Sequence, residues 1–89
     1  MQRTAEEQAE LIAQINRIEG QVRGIGKMVA EGRYCIDVLI QIQAARAALT
    51  KVGLVVLEDH AKGCVVDALE RGETAIIDEL IDAVKKFVR

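Results

Sequence analysis

The sequence predicts an all-α fold of three helices, two long and one short, in a single domain over residues 1–89. The 89-residue chain contains no Pro, the residue that most strongly breaks a long helix. It is 51% hydrophobic but only 2% aromatic, so its apolar content is aliphatic and suits helix-on-helix packing. Apolar residues also recur every three or four positions, which is the spacing of one helix face.

The first helix is predicted from Thr4 to about Ala30. Thr4 is a favoured N-cap residue, and Glu7 follows three positions later, as in a capping box. The predicted apolar stripe consists of Leu11, Ile15, Ile18, Val22, Ile25 and Val29.

Three glycines, Gly20, Gly24 and Gly26, lie inside this first helix. Each costs up to about 1 kcal/mol relative to Ala in a helix interior. Gly20 and Gly24 share a face, which favours the close approach of another backbone there. A disordered break at Gly24–Gly26 is the alternative.

The second helix is predicted from near Arg33 to about Glu70, after a turn in which Gly32 ends the first helix. Apolar residues surround most of its circumference, which is typical of a helix buried between others. A single chain of this size would expose much of that surface, so we expect copies of the chain to cover it.

The third helix is short and follows a second turn at residues 71–73. Either Glu73 or Thr74 is expected to cap it. Lys85, Lys86 and Arg89 suit the negative carboxyl end of its dipole.

The strongest chemical signal is the spacing of Cys35, His60 and Cys64, which are the only cysteines and the only histidine. His60 and Cys64 are four residues apart, so they lie on one helix face. If Cys35 belongs to the same helix, 25 steps of about 1.5 Å separate it from His60 by roughly 37 Å. A shared metal site then requires an antiparallel partner chain, and two-fold symmetry creates two such sites per pair.

Two thiolates and one imidazole favour Cu(I), which needs only three soft ligands. Structural Zn(II) usually takes four protein ligands, so an Asp or Glu would have to complete the set. Ni(II) would be expected to use more nitrogen ligands. A catalytic Cys–His pair needs a third group and a pocket, and the chain has no loop long enough to build one, so no enzyme is predicted.

The charges divide the chain. Residues 12–53 carry six basic side chains against three acidic ones, and residues 54–84 carry two against eight. The first half can therefore present a basic face to phosphate despite a net charge of −2. The chain has no run of eighteen apolar residues, so no membrane span is predicted. The acidic N-terminus does not resemble a signal peptide, so a cytoplasmic location is expected.

The chain resembles the copper-sensing CsoR/RcnR family of bacterial metal-sensitive repressors along essentially its whole length. The resemblance lies in residues 17–25 (RIEGQVRGI), residues 34–39 (YCIDVL), Gln41 with Ile42, the His60–Cys64 pair and residues 79–81 (ELI).

This resemblance implies a homodimer assembled into a dimer-of-dimers homotetramer that binds double-stranded operator DNA without metal and leaves it on binding Cu(I). Each site would take Cys35 from one chain and His60 with Cys64 from its partner. Tyr34 and Glu79 would orient the His60 ring by hydrogen bonding. The residues expected at the DNA are Gln14, Arg17, Arg23, Arg46 and Lys51.

Other branches of the family fit less well. The nickel and cobalt branch has a histidine at the position of Arg3, and the persulfide branch lacks a histidine at the position of His60. The formaldehyde branch has an N-terminal proline where this chain has Gln2. Two alternatives stay open: a sensor of reactive sulfur that uses the same two thiols, and a metal-binding helical module that does not bind DNA.

Overall fold

The computed structural model describes residues 3–88, and these residues form helices and short turns without a strand. Helix α1 spans Ala5–Ala30 and α2 spans Cys35–His60. A π-helical turn, Ala61–Val65, continues α2 into the short helix α3, Val66–Glu70. Helix α4 spans Ala75–Phe87. The prediction of three helices is confirmed, with the predicted second helix running through α2, the π turn and α3; Gln2 and Arg89 lie outside the described residues.

The start of α1 follows the predicted cap. The backbone N–H of Glu7 donates to the Thr4 hydroxyl oxygen at 3.1 Å, and that hydroxyl donates to the Glu7 carboxylate at 3.2 Å. One of the otherwise unsatisfied N–H groups of the first turn is thereby paired. Thr74 also occupies the N-cap position of α4, but its side chain makes no capping hydrogen bond.

Both predicted turns end a helix at a glycine with left-handed backbone geometry. Gly32 has φ of +68° and Gly72 has φ of +78°. After α1, the N–H of Gly32 donates to the carbonyl of Val29 at 3.1 Å, and the next N–H, that of Arg33, donates to Met28 at 3.0 Å. These two bonds satisfy two of the last carbonyls of α1. A side chain at Gly32 would strain the backbone, because its φ is positive.

The glycines inside α1 do not interrupt the helix, so the alternative of a disordered break at Gly24–Gly26 is wrong. A Cβ atom added at Gly20 or Gly24 would meet nothing within 4 Å. The close approach that their spacing favours is therefore not made by the chain itself.

The described residues form two compact units, residues 4–53 and residues 54–88 together with Arg3, and α2 passes from one into the other. The prediction of one domain over residues 1–89 stays a prediction. In the first unit the buried side chains are Ile18, Ala45 and Val52. In the second they are Val65 and Ala68.

Much of the predicted apolar surface is exposed in the single chain. In the first unit Val22, Val29 and Leu49 are each more than half exposed, and in the second Leu54 is. The expectation that a single chain exposes much of this apolar surface is therefore confirmed, and its covering by other copies stays a prediction. Such faces cost free energy in water, and contact with other copies removes that cost.

The helical stretch Cys35–Glu70 is long and apolar enough, by length and composition alone, to cross a membrane. No membrane span was predicted from the sequence, so this property of the stretch was missed. An apolar core helix of a soluble protein passes the same test.

Candidate metal centre and nucleic-acid interface

His60 and Cys64 lie one helical turn apart at the point where the backbone changes from α to π geometry. His60 is the last residue of α2, and Cys64 lies within the π turn. Both side chains are partly exposed, and Cys64 is a free thiol. The structure thus brings together two of the three predicted metal ligands.

The π turn was not predicted from the sequence. Such turns have i→i+5 hydrogen bonding, appear mostly as single insertions in α-helices, and frequently occur at functional sites. Gly63, which lies within the turn, is the one local sequence signal of a weak point in the helix.

Cys35 is the first residue of the helix that His60 ends, and it is an exposed free thiol. Twenty-five helical steps of about 1.5 Å amount to roughly 37 Å, which is far beyond the reach of one ion. Within residues 3–88 no group of three or more His, Cys, Asp or Glu side chains is placed to hold a metal ion. One chain therefore supplies a pair of ligands at one place and a single ligand at another.

The two residues expected to orient His60 lie on different elements. Tyr34 directly precedes α2, where its carbonyl accepts the N–H of Val38 at 3.2 Å, and its side chain is 69% exposed. Glu79 is exposed on α4. Neither side chain is hydrogen-bonded to His60 in the described part of the chain, so their role stays a prediction.

Charged side chains flank His60 on both sides. Arg3 Nε donates to Asp59 Oδ2 at 2.6 Å, and these side chains are only 14% and 23% exposed. Lys62 Nζ lies 2.6 Å from Glu58 Oε1 in a solvent-exposed pair. The hydrogen bond to Glu58, with the attraction of its charge, raises the pKa of Lys62 above its ordinary value. Sequence reasoning missed the Arg3–Asp59 contact, because 56 positions separate the two residues.

All five predicted DNA-contacting residues lie in the first unit, residues 4–53, which matches the basic half of the sequence. Gln14 is partly exposed, and the four basic side chains are exposed. Gln14 and Arg17 share one side of α1, whereas Arg23 lies about 120° around the helix from Arg17. Arg23 also forms an ion pair with Glu19, so a phosphate would have to compete for it.

A shallow groove on α2 carries two of these basic residues. It is lined by Gln43, Arg46, Ala47, Thr50 and Lys51. At about 100° per residue this face lies opposite Ala45 and Val52, the buried side chains of α2. The groove therefore faces away from the packed side of its unit and presents cationic and polar donors of the kind that bind phosphate.

Comparison with known proteins gives a consistent result. A family model described as the metal-sensitive transcriptional repressor matches residues 7–86. The copper-sensing transcriptional repressor CsoR of Bacillus subtilis is 47% identical over 88 residues, which cover 98% of this chain and 87% of that protein. The copper-sensing transcriptional repressor RicR of Mycobacterium tuberculosis is 43% identical over 75 residues, 84% of this chain and 78% of that protein.

The fold is similar to two structures of metal-responsive regulators. The copper-sensing repressor CsoR with Cu(I) from Geobacillus thermodenitrificans has a TM-score of 0.91 and 47% identity, covering 100% of this chain and 94% of that one. The nickel-responsive transcriptional regulator InrS has a TM-score of 0.75 and 36% identity, covering 98% of this chain and 96% of that one.

Proposed function

Because this chain belongs to the metal-sensitive transcriptional repressor family, we propose that it represses transcription as the apo protein and is released from operator DNA by Cu(I). It is a transcriptional repressor and not an enzyme. The choice of Cu(I) depends on one observation. The fold of this chain matches that of a Cu(I)-containing repressor, and the chain has a thiol and an imidazole one helical turn apart.

The donor set fits Cu(I). Cys35 of one chain and His60 with Cys64 of its partner supply two thiolates and one imidazole, a soft three-ligand set. The helix between Cys35 and His60 prevents one chain from completing the set alone. The site therefore exists only in the assembled homodimer, and Cu(I) binding reports on the contact between chains.

The exposed apolar faces support this assembly. Side chains such as Val22, Leu49 and Leu54 are available to pack against a second and further copies. The homodimer and the homotetramer both fit this surface. The same packing would cover the stretch Cys35–Glu70, which supports a soluble, cytoplasmic protein rather than a membrane-spanning one.

The DNA partner is double-stranded operator DNA. The first unit supplies exposed basic side chains on α1 and on the groove of α2. Contacts of this kind position a protein on the phosphate backbone and make its binding depend on salt. By linkage, Cu(I) weakens DNA binding by the same factor by which DNA weakens Cu(I) binding. The corresponding coupling free energy is typically about 1–3 kcal/mol.

A substitution of the imidazole separates copper sensing from sulfur sensing. His60→Ala is expected to lower Cu(I) affinity by at least about 100-fold, because it removes a ligand rather than a supporting group. The two thiols, and their reaction with a persulfide donor, should be retained. Anaerobic competition with a Cu(I) chelator measures the affinity.

Lys62→Ala is the matched control, since it removes a nearby exposed cation without touching a ligand. Equal Cu(I) affinity in His60→Ala and in the unmodified protein would remove His60 from the site. Release of His60→Ala from DNA by persulfide alone would favour the sulfur-sensing alternative.

The same titrations test the residues proposed to orient His60. Tyr34→Phe and Glu79→Gln should retain Cu(I) binding to within about tenfold, yet respond to it with a smaller loss of DNA affinity. A loss of Cu(I) binding as large as that of His60→Ala would instead make them ligands. Unchanged release of DNA would remove them from the mechanism.

A further inference from the structure

We propose that Arg3 is a positioning residue that withholds the Asp59 carboxylate from the metal centre and thereby disfavours divalent ions. The inference rests on the proposed Cu(I) site and adds a determinant of metal specificity to it. Asp59 directly precedes His60, and Arg3 lies in the segment before α1.

The Arg3–Asp59 pair differs from the helix-surface ion pairs of the chain. The Nε–Oδ2 distance is 2.6 Å, and the side chains are only 14% and 23% exposed. In the Lys62–Glu58 pair the corresponding values are 75% and 60%. Shielded from water, a charge-assisted hydrogen bond holds its partners in place more strongly than an exposed pair does.

Asp59 is the candidate for a fourth ligand, because it is the carboxylate that lies nearest in sequence to His60. It precedes His60 at the end of α2, and the π turn that contains Cys64 begins two residues later. Even so, Asp59, His60 and Cys64 do not form a metal-holding group in the described residues. The carboxylate is instead directed to Arg3.

A fourth, oxygen ligand changes which metal the site prefers. Zn(II) favours four ligands in a tetrahedron, and Co(II) adopts the same geometry in sites with thiolate ligands, whereas Cu(I) is satisfied by two thiolates and one imidazole. Charge acts in the same direction. With Arg3 in place the pair is neutral, but an uncompensated Asp59 would attract a dication more strongly than a monocation.

The test compares metal affinities of the assembled protein with and without the cation. Arg3→Ala should bind Zn(II) about 10-fold more tightly, with a much smaller change in Cu(I) affinity. Co(II) gives a second readout, since its visible bands intensify in tetrahedral coordination. These bands should grow in Arg3→Ala, whereas a merely structural role for Arg3 would not produce them.

The double variant Arg3→Ala/Asp59→Asn should return the Zn(II) affinity and the Co(II) spectrum to those of the unmodified protein. Lys62→Ala, which leaves the exposed Glu58 unpaired, is the matched control and should change neither. Should Arg3→Ala fold poorly, Arg3→Gln removes the same charge while keeping much of the side chain, and it should also bind Zn(II) more tightly than the unmodified protein does.

Each outcome bears on one claim. Unchanged Zn(II) affinity and Co(II) bands in Arg3→Ala, with Cu(I) binding intact, would overturn this inference and leave the proposed function standing. An increase that persists in the double variant would also overturn it, because Asp59 would then have no part in it. Failure of the unmodified protein to bind Cu(I) would overturn the proposed function itself.

Discussion

Two variants that each lack a Cu(I) site are expected to regain one when they share a dimer. Alone, Cys35→Ser and Cys64→Ser should each bind Cu(I) at least about 100-fold more weakly than the unmodified protein. In a mixed dimer, Cys35 of one chain meets His60 and Cys64 of the other at one of the two sites. One tight site per mixed dimer should therefore return, because α2 separates Cys35 from His60 by roughly 37 Å in any one chain.

The control uses the same number of cysteines in a different arrangement. A dimer of the unmodified chain with Cys35→Ser/Cys64→Ser should have no tight site, since each site then lacks one thiolate. Differently tagged chains allow the mixed dimers to be purified, and anaerobic competition with a Cu(I) chelator counts their sites. A site retained in the control dimer but absent from the first mixture would show that one chain completes the site by itself.

Loss of charge from the α2 groove is expected to weaken DNA binding and to reduce its dependence on salt. Arg46 and Lys51 lie at opposite edges of the groove and form no ion pair within residues 3–88. Each lost phosphate contact lowers the slope of log K against log salt by about 0.9. Arg46→Ala/Lys51→Ala should therefore lower the slope by about that amount for each side chain that contacts a phosphate in the assembly.

A matched variant tests whether the weaker DNA binding depends on the position of the lost charges or only on the net charge of the protein. Lys85→Ala/Lys86→Ala removes the same charge from the last turn of α4, outside the unit that contains the groove. It should leave the salt slope unchanged, as measured by fluorescence anisotropy of a promoter duplex at several salt concentrations. Equal losses in both variants would mean that the groove has no special role and that only total charge matters.

The local elements were predictable because their causes are local. Thr4 caps α1 through a residue three positions away, and Gly32 and Gly72 end helices because their backbones adopt positive φ. The His60–Cys64 pair could also be predicted, since helical periodicity alone places residues four apart on one face.

The missed features depend on contacts or backbone energies that a periodic pattern does not encode. Gly63 marks a weak point in the π turn, but a glycine in a helical pattern does not distinguish a π turn from an α-helical one. The Arg3–Asp59 pair joins residues 56 positions apart. The apolar pattern of α2 predicts burial on most sides, but within one chain only Ala45 and Val52 of this helix are buried, and the proposed contacts between chains would have to cover the rest.

The most direct test is an anaerobic titration of the reduced apo protein, bound to its own promoter fragment, with Cu(I), Zn(II), Ni(II) and a persulfide donor. Anisotropy of the labelled DNA follows its release. We expect release to be complete near one Cu(I) per chain, with little release by the other three at the same ratio. Release by persulfide or Ni(II) but not by Cu(I), or tight Cu(I) binding without release, would contradict a Cu(I)-responsive repressor.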